Sequence, residues 1–178
     1  MKNYISLWLI VATCALLFDT PVYAQTNKKL TDAEIASVAV VANQIDIDYA
    51  AIAKKKSKNP DVIKFSQTMI ADHKAVIDKA VALVTKLGVT PKDNAVSKSL
   101  LDGAAKTKAL LNSKKGAAFD KAYIDNEVEY HKAVISTVEN VLIKDAQNAE
   151  LKQLLESVLP VLKMHLEHAQ MVQKGNVH

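Results

Sequence analysis

Four histidines of this 178-residue chain, His73, His131, His165 and His168, stand at positions that helical spacing turns towards a core. In the C-terminal segment Leu151, Leu154, Val158, Val161, His165, His168 and Val172 follow one another at gaps of three and four residues. That is the signature of a buried seam, and it carries two imidazoles. Glu127 precedes His131 by four residues, so both project from one face of a helix. Asp46 stands beside Ile45 at the edge of another apolar stripe, and Asp72 flanks His73. The fifth histidine, His178, ends the chain.

Neutral imidazole nitrogens and carboxylate oxygens gathered in a helical core can hold a transition-metal ion. By ligand type Fe, Mn, Zn and Cu are all suited. The metal-ligand candidates are therefore Asp46, His73, Glu127, His131, His165 and His168. The competing reading is a polar network, joined by Ser66 and Tyr130, that fixes helix register and binds nothing. The Glu-x-x-His pattern of di-iron bundles is missing, because Ile70, Val128 and Leu162 stand three residues before His73, His131 and His165. Phe65, Phe119, Tyr123 and Tyr130 lie at helical spacing and read as core. No nucleophile–histidine–acid arrangement or glycine-rich phosphate loop stands out, so no reaction follows.

The elements that must position these groups are helices. The chain has only four glycines and four prolines, and no alternating strand pattern. A first helix is expected from about Thr31 to Lys56, opened by the capping-box pattern "TDAE". Asn59 as cap and Pro60 at the first helical position open a second helix, which Gly88 stops after Leu87. A shorter helix from about Ala95 to Leu111 lies in the connection. Two further long helices follow, about Ala118 to Ile143 and Ala149 to Gln173. Two hairpins joined by a long connection predict an all-α four-helix bundle, with either a crossover or a simple up-down path. Counted from the turns, Asp46, His73, His131, His165 and His168 reach similar depths at about 1.5 Å per residue. Pro160 inside the last helix leaves the carbonyl of Glu156 without its donor and marks a kink or break.

Three stretches, "DIDYAAIAKKKSKNPDVIKFSQTMIADHKAV" (46–76), "GAAFDKAYIDNEVEYHKAVI" (116–135) and "LPVLKMHLEHAQMV" (159–172), resemble the exported bacterial ferritin-like family with domain of unknown function 4142. The matching positions are Asp46, in place of the family's usual Glu, the pair Asp72–His73, then Phe119, Asp120, Tyr123 and His131, and finally His165 and His168. The resemblance implies a ferritin-like bundle in the cell envelope and no established reaction.

The N-terminus reads as a secretory signal. Lys2 precedes the apolar run Tyr4–Phe18, and Val22 and Ala24 occupy the small-residue positions of a cleavage site. Residues 1–24 are thus expected to leave a bundle domain of residues 25–178, exported to the periplasm or the outer membrane. An uncleaved membrane anchor and lipidation at Cys14, the one cysteine, are the alternatives. The domain itself then has no cysteine, which excludes disulfides, thiolate metal sites and iron–sulfur clusters. The net charge of +4 comes entirely from lysine, a strongly hydrated point charge. Nucleic acid is not expected as a partner, and weak contact with an anionic membrane surface is the other use of that charge.

Overall fold

The computed structural model describes residues 29–175, all of whose regular elements are helical. The expected signal segment, Cys14 and His178 lie outside them. Helix α1 (Asp32–Lys56) starts where the sequence says it should: Thr31 and Glu34 close a reciprocal capping box. Helix α2 (Pro60–Leu87) begins with the Asn59 side chain accepting from the amides of Asp61 and Val62. It ends at Gly88, whose φ of 63° is the left-handed conformation that glycine adopts without strain. Helix α3 (Ala95–Ser113) occupies the connection. Helix α4 (Gly116–Thr137) runs on through a π-helical turn (Val138–Leu142) and a last short turn (Ile143–Asp145). Helix α5 (Ala149–Gly175) completes the bundle.

The path is a crossover. The start of α3 lies beside the start of α1, where Lys92 N donates to the Ala33 carbonyl at 2.9 Å and the Asn94 amide to that of Glu34 at 3.0 Å. Their ends also meet: Lys56 Nζ donates to the carbonyls of Leu111 and Asn112 at 2.9 and 2.8 Å. So α3 runs parallel to α1 and carries the chain back along the bundle before α4 begins. The α4–α5 turn returns to the head of α1, where the Asp32 carboxylate accepts from the amides of Gln147 and Asn148 at 2.9 and 3.0 Å. Consequently α2 and α4 run the same way, opposite to α1, α3 and α5.

The apolar core falls into two clusters. One, towards the C-terminal end of α1, contains Tyr49, Phe65, Met69, Phe119, Tyr123 and Val172. The other, towards its N-terminal end, contains Ile35, Val38, Val138, Leu142, Leu155 and Leu162. His73, His131 and His165 each stand between residues of the two clusters on their own helices, and Asp46, next to Ile45 of the first cluster, reaches His73 and His131 from α1. A layer of buried polar groups therefore crosses the middle of the bundle.

The buried face of α5 differs from the expected seam. It consists of Leu151, Leu155, Leu162, His165, Ala169 and Val172, while Leu154, Val158, Val161 and His168 flank it. A strict alternation of three and four residues drifts against a helix with 3.6 residues per turn. Ala169 takes the centre of the face and rotates its neighbour His168 about 100° away. Pro160 neither breaks nor ends α5. It is exposed, as is Glu156, so the turn that lacks this donor lies on the outer face of α5.

Candidate metal centre

Each histidine of the polar layer has one ring nitrogen committed to an acceptor. His73 Nδ1 meets Asn43 Oδ1 at 2.7 Å, and the amide of Asn43 donates to the Ala39 carbonyl at 2.8 Å. That second bond fixes which end of Asn43 faces the ring, so His73 Nδ1 carries the hydrogen. His131 Nδ1 donates to the carbonyl of Glu127, one turn back on α4, at 2.9 Å. His165 Nε2 donates to Asp72 Oδ2 at 2.9 Å. A neutral imidazole with one nitrogen donating has a lone pair on the other. The lone pairs are thus on His73 Nε2, His131 Nε2 and His165 Nδ1.

These three rings pack together. Their centroids are 5.7 Å apart for His73–His131, 5.2 Å for His73–His165 and 5.5 Å for His131–His165. One ligand nitrogen from each lies within 4.8 Å of the other two. Asp46 enters the same space, with Oδ2 at 3.3 Å from His73 Nε2 and 3.6 Å from His131 Nε2. Glu127 Oε2 is 3.7 Å from His131 Nδ1. Asp46, Glu127 and His131 form a second set of mutually close ligand atoms, so His131 belongs to both.

Burial is nearly complete: Asp46 and Glu127 are 0% exposed, His131 1%, His165 2% and His73 4%. Yet both oxygens of Asp46, both of Glu127, His73 Nε2, His131 Nε2 and His165 Nδ1 have no hydrogen-bond partner within the protein. The 3.3 Å approach of Asp46 to His73 is a charge contact rather than an aligned hydrogen bond. Asn126 likewise approaches Glu127 without reaching hydrogen-bond geometry. Native cores rarely leave buried polar atoms unsatisfied, and these seven belong to the five residues of two overlapping ligand groups that share His131.

Burial also sets the protonation. Desolvation pushes Asp46 up to about 8 and Glu127 well above the usual carboxylate range, the nearby Asp46 adding to the latter. Desolvation lowers His131 to about 4 and holds His73 well below the ordinary imidazole value, helped by the neighbouring histidines. His165 is lowered too, again by burial, with Asp72 opposing. The isolated cluster thus favours uncharged imidazoles and protonated carboxyls at neutral pH. A cation would displace the carboxyl protons and find imidazoles already in their ligating form.

Of the six residues singled out in the sequence, the structure brings five together: Asp46, His73, Glu127, His131 and His165. His168 does not join them. It is half-buried on the flank of α5, with its ring edge-on to Phe65 at 5.1 Å between centroids. Ser66 turns back to its own helix, donating to the Ile63 carbonyl, and Tyr130 donates to the Ala42 carbonyl at 2.9 Å. Sequence reasoning missed the orienting partner Asn43, whose position beside the α1 stripe gives no signal. It noted Asp72 only as the neighbour of His73, whereas its contact is with a residue 93 positions away.

Fold and site together define an all-α crossover bundle with a buried cluster of histidines and carboxylates at mid-height. The chain belongs to the family described as "Domain of unknown function (DUF4142)", whose model matches residues 18–172. No curated protein matches it. Among solved structures, "CopM in the Cu(II)-bound form" has a similar fold, with a TM-score of 0.62 and 16% sequence identity over 82% of this chain and 98% of that one.

Proposed function

We propose that the protein binds one divalent transition-metal ion, copper foremost, in the bundle core, with His73, His131 and His165 as imidazole ligands and Asp46 and Glu127 as carboxylate ligands. The observation that carries this reading is the set of seven buried, unpartnered ligand atoms described above. Charge supports it. Two carboxylates and one divalent cation sum to zero, the cheapest state for a water-poor interior. Donor chemistry supports it as well: three imidazole nitrogens with carboxylate oxygen suit copper, zinc and iron, and copper(II) stands highest in divalent affinity for such sites. The fold is shared with a protein solved in a Cu(II)-bound form, which favours copper among these. Asn43, the Glu127 carbonyl and Asp72 would serve as the outer partners that fix each imidazole's orientation. The signal-like apolar run near the N-terminus supports a location outside the cytoplasm for this activity.

The test is metal analysis of the protein purified without a histidine tag, then titration with Cu(II), Zn(II) and Fe(II). One equivalent bound, and lost in His73→Leu/His131→Leu, is the expected result. A chain that neither retains nor takes up any of these ions overturns the proposal and leaves the polar-network reading.

A further inference from the structure

A cavity of about 120 Å³ lies on the other side of the polar layer, towards the N-terminal end of α1. Asn43, Asp46, His73, His131 and His165 line one end of it, and aliphatic side chains line nearly all the rest. Two local features keep it open. Five alanines, Ala36, Ala39 and Ala42 of α1, Ala80 of α2 and Ala133 of α4, stand on its wall where larger side chains would fill the space. The π-helical turn of α4, a wider turn than an α-helix makes, contributes Val138 and Leu142. Ala133 is exposed and Ala39 half-buried, so the space reaches the surface between α1 and α4.

A water molecule needs two to four polar partners to stay in such a place. The imidazole and carboxylate atoms offer them at one end only. The aliphatic remainder has the character of an engineered cavity of about 150 Å³ that stays dry and binds benzene or xenon.

We propose that this cavity is a binding site for small, uncharged apolar molecules, of benzene size or below, which enter between α1 and α4 and come to rest against the histidine–carboxylate cluster. Anions and hydrated cations are excluded by the aliphatic wall, because removing their hydration is far costlier than the contacts return. The inference rests on the cavity and its lining, and it stands whether or not the cluster holds a metal.

Xenon NMR of the metal-free protein tests it. A saturable xenon shift is expected, together with a rise in melting temperature on adding benzene. Both should be lost in Ala80→Leu, which fills the cavity two turns from His73, while that variant melts at or above the wild-type temperature. If Ala80→Leu fails to fold, Ala133→Leu at the mouth replaces it, with the same expected loss. A xenon shift in the wild type that only rises linearly with pressure overturns the proposal, as does unchanged saturable binding in the folded variant.

Discussion

Asp72 and His73 are adjacent in sequence and serve the same cluster in different ways: His73 offers Nε2 to it, while Asp72 accepts the Nε2 hydrogen of His165 at 2.9 Å. One turn of α2 thus supplies a ligand and the orienting partner of a ligand on α5. The side chain of Asp72 is 40% exposed, so this contact also links the buried site to the surface.

Asp72 can therefore be altered without opening the core. Asp72→Ala should leave the fold intact, while freeing the ring of His165 to rotate and change tautomer. Loss of such an orienting partner typically lowers metal affinity about 10- to 100-fold. Competition against a chelator of known affinity measures it; affinity within twofold of wild type would show that the Asp72–His165 bond does not orient the ring.

His168 and His165 should separate cleanly. His165→Ala removes a nitrogen that points into the cluster and should weaken metal binding at least tenfold. His168→Ala loses a ring packed on Phe65 and should change affinity by less than twofold. Equal losses in the two variants would mean that α5 rotates to bring both imidazoles inward.

Glu127 is a stability cost in the absence of a cation. A buried polar group without a hydrogen-bond partner costs about 1–3 kcal/mol, a penalty that an apolar residue of similar size removes. Glu127→Leu should raise the urea midpoint of the metal-free protein and abolish or sharply reduce stabilisation by added metal. A lower midpoint in the metal-free variant would reveal a satisfied network around Glu127.

The stability of the metal-free protein should fall as pH rises from about 6.5 to 8. His73, His131 and His165 have folded values below 6.5, His131 near 4, so the unfolded chain binds more protons as pH falls. Their contribution is complete above 6.5 and is lost on acidification towards 4. Asp46, raised from 3.8 to about 8, and Glu127, also raised, act in the opposite sense. The folded state keeps protons that the unfolded state has released, so this contribution is lost as pH rises towards 8. Below 6.5 the histidines and the acids oppose one another; above it the acids dominate, at up to about 1.4 kcal/mol per pH unit for each. Saturating metal should oppose the fall above 6.5, because it requires ionised carboxylates. Urea titrations from pH 5 to 8 check this. Metal-free stability that rises from 6.5 to 8 would show that Asp46 and Glu127 are already ionised in the folded core.

Much of this was legible in the sequence because it is local. Thr31 with Glu34, Asn59 with Pro60, and Gly88 mark helix ends through contacts within four residues. The stripes of α1, α2 and α4 placed Asp46, His73, Glu127 and His131 on buried faces because a single helical turn relates each to its apolar neighbours. What remained undecided depended on contacts far apart in the chain. Whether the connection crosses the bundle was settled by Asn94 at Glu34 and Lys56 at Leu111, which make α3 parallel to α1. Which of His165 and His168 enters the core turned on a rotation of about 100°, within the drift between a 3.5-residue pattern and a 3.6-residue helix. The tautomer of each imidazole was set by Asn43, Asp72 and a main-chain carbonyl. The cavity arises where five alanines from three helices and a π-turn converge. None of these is a property of one segment. Periodicity determines which face of a helix is buried, while only the packing of helices against one another decides what that face meets.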